Sequence, residues 1–550
     1  MAAWYRGTAP GGSPSDDAYV KTSALAETFD SSSAVPPGAI LRSHVPDTDR
    51  QVQPIGAQED TRRPPVVPTG QLNRLVRPGD AAGFRTVDGL TSRITAMTRS
   101  FRMSEETWLA ARLIPTSGIN GADEQERRAT SALLAVMSAV REFGRALTQS
   151  VGAPAGTVQT FIEVPFKLGD QQLFPDGLIR VTRGQRQWTA LVEVKTGSNA
   201  LRTEQVEAYL DIAREQGFDA LLTISNEIAP VPGQHPTTVD RRKLRKVALH
   251  HLPWTEVLTQ AVLQKEYRGV ADPDQAWVLG ELIRYLEHPR SGALEFSDMG
   301  PAWVQVREAV SAGTLRAGDG GAAQVAGRFD ALIRYVCLRL GRRLGTEVTP
   351  ALSRRDLADP AARTQWLVNQ LVSTGTLTGS IRIPGSVGSL QVTADLRAGQ
   401  VICHVDVDAP RTGRPTTRVN WLVRQLRDAP DNVRIEAFAM HARGGGATDL
   451  LRQVRAEPTT LISDPARELR AFRVAQSTAA GTKRGSGRGA FIDSVLNAVD
   501  EFYEQIIQNL KPWLPAPPRL RSPEEIAPVQ PVAPSLISTA ISSQDDPPSG

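Results

Sequence analysis

The sequence feature that most constrains this chain is an apolar strand pattern that ends in two charges. Residues 188–195 read Trp-Thr-Ala-Leu-Val-Glu-Val-Lys, which is typical of a buried strand except for Glu193 and Lys195. Because side chains alternate between the two faces of a strand, Glu193 and Lys195 share one face. A charge inside such a strand is costly unless it is paired or bound to a metal ion. The pattern therefore predicts a polar site at the end of a buried strand.

The surrounding pattern predicts an α/β fold. Asp123 and Glu126 have the spacing of a capping box, which starts a helix that runs to about Gln149. A second helix starts after Thr203 and ends at Gly217, which can adopt the left-handed conformation of a helix cap. Period-two or continuous apolar patterns predict strands at residues 157–168, 173–182, 188–195 and 220–225. The order is a helix, a three-strand meander, a helix and a strand.

A second carboxylate joins Glu193 and Lys195. Asp176 follows Pro175 on the second strand of the meander, so two carboxylates and one ammonium group can converge. Carboxylate oxygens hold hard divalent cations, such a cation acidifies a water molecule, and a lysine can position that water. This set favours phosphodiester hydrolysis. The alternative is that Asp176 caps a turn while Glu193 and Lys195 face solvent.

These motifs resemble those of a known superfamily over about residues 121–255. The sequence resembles the PD-(D/E)XK nucleases, because Pro-Asp is followed after a gap by Glu-x-Lys on this order of helices and strands. A Gln-x-x-x-Tyr motif on the following helix is similar to that of their RecB-like or exonuclease branch. The residues that carry the resemblance are Pro175, Asp176, Glu193, Val194, Lys195, Gln205 and Tyr209.

The resemblance implies a PD-(D/E)XK-like core and a metal-dependent nuclease that hydrolyses DNA. It implies that Asp176, Glu193 and Lys195 are catalytic. It also implies that Mg²⁺, for which Mn²⁺ can substitute, is held by the two carboxylates and the backbone carbonyl of Val194. DNA repair or defence against foreign DNA is the setting we expect from the resemblance.

Supporting residues have second interpretations. Glu126 can supply an extra acid to the site, or only cap its helix. Gln205 and Tyr209 can support the site, or be a surface amide and a core aromatic residue. For the whole core, the alternative function is a non-catalytic DNA-binding or protein-interaction module that keeps the nuclease fold. An RNA nuclease is a third alternative, because recognition of a 2′-hydroxyl leaves no mark in the sequence.

A dense basic run precedes the next predicted strand, residues 247–252. Such runs are usually solvated faces, but beside a nuclease core this one can neutralise DNA phosphates without reading sequence. His250 and His251, on that strand, lack a further ligand at metal-binding spacing, which favours a structural role. The nucleic-acid-binding candidates are Arg241, Arg242, Lys243, Arg245 and Lys246.

The length of 550 residues predicts more than one domain. Residues 1–86 and 515–550 are rich in Pro, Gly, Ser and Asp, which predicts disorder. Between them we expect a nuclease domain, a helical connector, a second α/β domain, a basic linker and an amphipathic helix. Their predicted bounds are 87–260, 261–325, 326–475, 476–490 and 491–514.

The second α/β domain repeats the predicted order of helix, three strands, helix and strand. The position that matches Glu-x-Lys reads Asp406-Val-Asp408, however, and Asp395 lacks a preceding proline. These aspartates can hold a cation, but no lysine accompanies them. The domain is therefore either a degenerate copy of the core or a different accessory domain.

Composition excludes several other classes. With 63 basic and 59 acidic residues the chain has no strong global field, so its charge alone does not indicate a polyanionic partner. Two cysteines are too few for a disulfide framework or a thiolate zinc site. Neither a signal peptide nor an apolar membrane span is evident. We therefore expect a cytoplasmic protein with no membrane partner.

Overall fold

The computed structural model describes residues 109–110, 113, 124–442, 444–515 and 517. Asp123, residues 1–86 and nearly all of 515–550, for which the sequence predicts a helix cap and two disordered regions, lie outside the described residues. All described residues belong to one compact unit, Thr86–Gly550. Its mixture of helices and sheets confirms the predicted α/β class.

The first half is built on a sheet with the order β1-β2-β5-β6-β7-β8 among the described residues. Strands β2, β5 and β6 form the predicted antiparallel meander, and β7 and β8 continue it in parallel. The strands are β1 (Leu109–Ala110), β2 (Thr157–Ile162), β3 (Phe166–Leu168), β4 (Gln171–Leu173), β5 (Gly177–Arg183), β6 (Arg186–Val194), β7 (Ala220–Ser225) and β8 (Ala248–Pro253). The helices are α1 (Glu124–Ala139), α2 (Arg141–Ser150), α3 (Thr203–Gln216), α4 (Trp254–Val262) and α5 (Pro273–Glu287).

Two predicted strands are each divided. Glu163 has a φ of 50°, a conformation that few residues other than glycine adopt, and it ends β2. The chain then forms a separate hairpin of β3 and β4 before β5 begins at Gly177. Asp176 therefore lies in a bend before β5 and not on the strand, where the sequence predicts it.

The first predicted helix is also divided. Val140, with φ −100° and ψ 96°, separates α1 from α2. Beyond this kink the chain passes so close to α1 that a Cβ on Gly144 would lie 2.1 Å from the carbonyl oxygen of Met137. Only glycine permits this approach, so the kink depends on the residue at position 144.

Helices cover both faces of the first sheet. Helices α1, α2, α4 and α5 bury one apolar cluster against it, to which Val192 and Val194 contribute. Helix α3 buries a second cluster on the opposite face, to which Leu191 contributes. The alternation of β6 therefore places Glu193 on the face that α3 covers. Helix α3 ends at Gly217 in the left-handed conformation, as predicted.

The second half is a sheet of different topology. Its order is β14-β13-β15-β12-β11-β10-β9, and every neighbouring pair is antiparallel. The strands are β9 (Thr349–Pro350), β10 (Thr376–Arg382), β11 (Leu390–Asp395), β12 (Gln400–Asp408), β13 (Arg434–Ala439), β14 (Ala447–Leu450) and β15 (Leu469–Ala479). The helices are α6 (Trp303–Ser311), α7 (Gly320–Leu344), α8 (Arg354–Ala358), α9 (Pro360–Thr374), α10 (Pro415–Gln425), α11 (Leu451–Ala456) and α12 (Phe491–Gln505).

The position of strand β15 distinguishes the topology of the second half from that of the first. This strand lies between β12 and β13, whereas in the first half β7 pairs directly with β6. The topology of the second half therefore differs from that of the first, which argues against a degenerate copy, and the accessory role of this domain stays a prediction. Residues 476–479 belong to β15 and not to the predicted linker, because they pair with β12.

The predicted bounds of the connector and of the last helix also change. Helix α6 lies in the predicted connector, but Trp303 packs against Phe491 at 4.4 Å between ring centroids, inside the core of the second half. Helix α12 ends at Gln505 and is followed by a 3₁₀ turn, Ile507–Asn509, instead of continuing to residue 514. Its apolar face is buried in that same core. None of the described helices has the length and apolarity to cross a membrane.

A buried ion pair joins the two halves. Arg334 on α7 donates to Glu256 on α4 at 2.5 Å and to the carbonyl oxygen of Ala229 at 3.3 Å. The side chains are 7% and 21% exposed, so neither charge has full access to water. Removal of one partner leaves the other charge buried and unpaired.

We therefore expect Arg334→Ala to lower the free energy of unfolding by about 3 kcal/mol. The control is Arg284→Ala, because Arg284 is 79% exposed in its pair with Glu281 and its loss should cost under about 1 kcal/mol. The measurement is the midpoint of urea unfolding followed by circular dichroism. Equal shifts in the two variants would show that the buried pair does not join the halves.

Candidate active site

The bend before β5 places Asp176 beside the end of β6. Gly177 pairs with Val192, and Asp176 Oδ2 accepts a hydrogen bond of 2.7 Å from the backbone N–H of Val194. Burial raises the pKa of Asp176 to about 6, against the opposing effects of Lys195 and of this hydrogen bond. The carboxyl group is therefore fixed at the edge of the sheet where β6 ends.

Glu193 is the most deeply buried of the candidate acids, with 1% of its surface exposed. Its Oε1 lies 2.6 Å from Lys195 Nζ, yet neither carboxylate oxygen has a hydrogen-bond donor in good geometry among the described residues. Burial, and then the charge of Asp176, raise the pKa of Glu193 to about 9. The structure thus brings together Asp176, Glu193 and Lys195, as the sequence predicts.

Lys195 is held by three oxygens. Its Nζ lies 2.6 Å from Glu193 Oε1, and it donates to Glu126 Oε1 at 2.8 Å and to the Val194 carbonyl at 3.0 Å. Burial alone would lower the pKa of Lys195, but the charges of Glu193 and Asp176 and the hydrogen bonds outweigh it, so its pKa lies above the usual range. The ammonium group stays charged at neutral pH.

Glu126 belongs to this cluster. Besides Lys195, its carboxylate accepts from the backbone N–H of Thr196 at 3.3 Å and from Asn199 Nδ2 at 3.5 Å. These contacts join α1 to the turn after β6. Of the two interpretations of Glu126, the contacts favour the extra acid at the site.

The cluster carries more negative than positive charge. The carboxyl groups of Glu126, Asp176 and Glu193 act on the single ammonium group of Lys195. Burial first, and then repulsion from the neighbouring carboxylates, raise the pKa values of Asp176 and Glu193, and a bound proton on either reduces the excess negative charge. A divalent cation beside these oxygens would neutralise it in the same way.

Side chains alone do not complete a metal site. Among the residues that the structure describes, no group of three or more His, Cys, Asp and Glu side chains is arranged to hold a metal ion. Magnesium commonly binds one or two carboxylates and completes its shell with water and substrate phosphate oxygens. Asp176, Glu193 and the Val194 carbonyl, on one edge of the sheet, suit that kind of site.

The predicted supporting pair lies on α3 and contacts the bend of Asp176. Gln205 Nε2 donates to the hydroxyl of Tyr209, which donates to the carbonyl of Phe174, both at 3.3 Å. Burial, and then the charge of Glu193, raise the pKa of Tyr209 to about 12, so the hydroxyl keeps its proton. The pair therefore orients the backbone that carries Pro175 and Asp176.

Sequence reasoning missed several polar contacts of the site. Asn199 contacts Glu126, and Trp254 Nε1 donates to the carbonyl of Lys195 at 2.9 Å. Asn226 Nδ2 donates to the carbonyls of Gly197 at 3.0 Å and Gly292 at 2.8 Å. No local pattern marks these residues, since each acts through a partner distant in sequence.

A polar row continues across the sheet beyond Glu193. Thr223, which pairs with Glu193, has its hydroxyl 2.9 Å from His251 Nδ1 and 2.8 Å from His235 Nε2. The other ring nitrogen of His251 lies 2.7 Å from the carbonyl of Glu227, and burial lowers the pKa of His251 to about 3. These neutral, satisfied rings fit the structural role that the sequence predicts for His251.

The basic run lies at the other end of β8 from this cluster. Lys243 is committed to α3, because its Nζ lies 2.6 Å from Asp211 Oδ2 and 3.5 Å from Glu207 Oε2. Its four basic neighbours are exposed and form no ion pair with any residue that the structure describes. They are Arg241, Arg242, Arg245 and Lys246.

The aspartates of the second half do not form an equivalent centre. Asp395 accepts from the backbone N–H groups of Arg397 and Ala398, which shapes the turn between β11 and β12. Asp406 lies six residues along β12 from Gln400, the partner of Asp395, or about 20 Å. There it forms two hydrogen bonds with Arg473, which together with the charge of Arg473 outweigh burial and lower the pKa of Asp406.

We found no match to this chain among protein families, curated proteins or solved structures. The likeness to PD-(D/E)XK enzymes therefore stays one of motif and element order. What the site can do follows from its own residues and their geometry.

The raised pKa of Glu193 predicts a pH-dependent stability. In the unfolded chain this carboxyl ionises near its ordinary value of 4.5, but in the folded protein it ionises near 9. The folded state therefore loses stability relative to the unfolded state as the pH rises from about 4.5 to 9. Glu193→Gln removes this penalty.

We expect the melting temperature of metal-free Glu193→Gln to exceed that of the wild type by roughly 2 °C or more at pH 8, and the difference to shrink towards pH 5. Scanning calorimetry in a chelator measures both. Glu163→Gln is the control, because that carboxylate is 36% exposed. A lower melting temperature of Glu193→Gln at pH 8 would mean that the charged form of Glu193 stabilises the fold.

Proposed function

We propose that this protein is a metal-dependent nuclease that hydrolyses DNA phosphodiester bonds, with a PD-(D/E)XK-like core. The observation that carries the proposal is the burial of Glu193 beside Asp176, with too little positive charge to balance both. Such an arrangement lowers the stability of the fold, and a bound cation offsets this loss by neutralising the carboxylates.

Asp176, Glu193 and the carbonyl of Val194 would hold the cation, with Mg²⁺ as the first candidate and Mn²⁺ as a substitute. Glu193 Oε2 supports this, because it accepts no hydrogen bond of good geometry from the described residues and a ligand oxygen must be free to bind metal. When bound, the cation supplies charge neutralisation at the phosphate and acidification of a water molecule. The remaining ligands would be water and phosphate oxygens.

Lys195 would position the attacking water and stabilise negative charge at the phosphate. Its raised pKa keeps it protonated, so it acts as a hydrogen-bond donor and a cation and not as a base. Glu126 holds the ammonium group in place from α1. Gln205 and Tyr209 support the bend of Asp176 from α3.

The alternative is a module with the same fold that binds DNA or protein without catalysis. Such a module gains nothing from an ionisable group buried at position 193, where a neutral residue could replace Glu193 with a gain in stability. The arrangement of the acids therefore favours catalysis. Separate measurements of DNA binding and DNA cleavage distinguish the two functions.

We expect Lys195→Ala to reduce Mg²⁺-dependent DNA cleavage by roughly 100-fold or more while Ca²⁺-supported DNA binding persists. The assay uses linear, circular and single-stranded DNA, and RNA of the same sequence, with the full-length protein. Asp406→Asn is the matched control, because Asp406 is paired with Arg473 on the sheet of the second half, so this variant should keep wild-type rates. Full cleavage by Lys195→Ala would refute the assignment, and binding without cleavage by the wild type would favour the module.

The exposed part of the basic run would bind the DNA backbone. Replacement of Arg241, Arg242, Arg245 and Lys246 by Gln should reduce the slope of log affinity against log salt by roughly one for each phosphate that is no longer neutralised. Lys243→Gln should instead lower stability, because its contacts are to Asp211 and Glu207. Fluorescence anisotropy at several salt concentrations measures the slope, and an unchanged slope in the fourfold variant would make the run an ordinary solvated face.

A further inference from the structure

A cleft opens next to the proposed metal site, and Asp176 belongs to both. The volume of the cleft is about 420 Å³, and it lies between α1 and the bend that precedes β5. Charged, polar and apolar groups all line it. The residues are Arg127, Thr130, Ser131, Ile162, Glu163, Phe174, Pro175 and Asp176.

An aromatic ring lies at this cleft with 54% of its surface exposed, that of Phe174. A single exposed apolar residue needs no explanation by itself. The backbone of Phe174 is fixed, however, because its carbonyl accepts from Tyr209 and the next residue is the buried Pro175. A rigid backbone that presents a ring to water two residues before a candidate metal ligand is suited to hold a flat, apolar group.

A basic side chain lines the same cleft as the ring. Arg127 follows Glu126 on α1, lines the same cleft and has 49% of its side chain exposed. Its ion pair with Glu163 is long, at 3.8 Å, and half-exposed, so it binds the guanidinium group weakly. Arg127 can therefore turn to a phosphate in the cleft at little cost.

We propose that this cleft binds one unpaired nucleotide next to the scissile phosphate, with its base stacked on Phe174 and a phosphate at Arg127. The proposal rests on the proposed nuclease function and adds the substrate class. In a continuous duplex, each base face is covered by its neighbours, so a stack on Phe174 requires a strand end or a single strand. The enzyme therefore prefers single-stranded or frayed DNA to closed duplex DNA.

The test compares two changes, made separately and together: removal of the Phe174 ring from the protein and removal of the bases from the DNA. The full-length protein in Ca²⁺ is titrated into fluorescein-labelled oligothymidylate and into an abasic strand of the same length, and anisotropy gives each dissociation constant. For oligothymidylate, Phe174→Ala should weaken binding by roughly 5- to 150-fold. For the abasic strand it should change nothing, since no base remains to stack.

Four further variants control for other causes. Phe174→Trp should bind oligothymidylate as the wild type does, because it keeps an aromatic face, whereas Phe174→Leu should bind it as weakly as Phe174→Ala does. Trp277→Ala removes a ring that is 65% exposed on α5 and absent from the cleft, so it should leave both constants unchanged. Arg127→Gln should weaken both strands equally, because both keep their phosphates.

A covalently closed circular duplex, which has neither a strand end nor an unpaired base, provides the second arm. The wild type should bind it more weakly than oligothymidylate, and Phe174→Ala should remove most of that preference. Equal losses by Phe174→Ala on the thymidylate and abasic strands, or unchanged binding of both, would refute the stacking site. If the stacking site is refuted but Mg²⁺-dependent cleavage is still observed, the nuclease proposal stands without the stacking site. If the wild type neither binds nor cleaves DNA, both proposals are wrong.

Discussion

The buried carboxylate of Glu193 is the constraint on which the site depends. The alternation of β6 places it on the face that α3 covers, where its charge needs partners from outside the strand. Helix α1 supplies Glu126 to hold Lys195, the bend before β5 supplies Asp176, and α3 supplies Tyr209 to orient that bend. Helices on both faces of the sheet are therefore required to build one cluster at its edge.

The parts of the site that the sequence predicts are those with local signals. Glu193 and Lys195 stand out because they interrupt an apolar strand, and the cap at Gly217 follows from the one residue type that favours its conformation. The position of Asp176 in a bend did not follow, because Glu163 adopts a left-handed conformation that nothing in its neighbourhood marks. Asn199 and Trp254 were missed for another reason, since their partners are distant in sequence.

In the second half, too, local sequence signals predict the elements but not their long-range contacts, which here are the pairings between strands. A helix, three strands, a second helix and a further strand follow from periodicity, and their predicted order repeats that of the first half. Strand order along the chain does not determine which strands pair, however, and β15 arrives late in sequence to lie between β12 and β13. One additional strand in the middle of a sheet changes every contact on either side of it. Likeness of element order alone is therefore weak support for a repeated fold.

The two halves meet close to the candidate active site. The turn after Lys195 is held by the loop that follows α5, since the N–H of Gly197 donates to the carbonyl of Gly292 at 2.9 Å. Gly292 has a φ of 82°, and a Cβ there would lie 2.7 Å from Cβ of Thr196, so this contact requires glycine. A few residues later, Asp298 binds Arg328 of α7 through its carbonyl. The geometry around Lys195 therefore depends on the first half and also on how the second half anchors this loop.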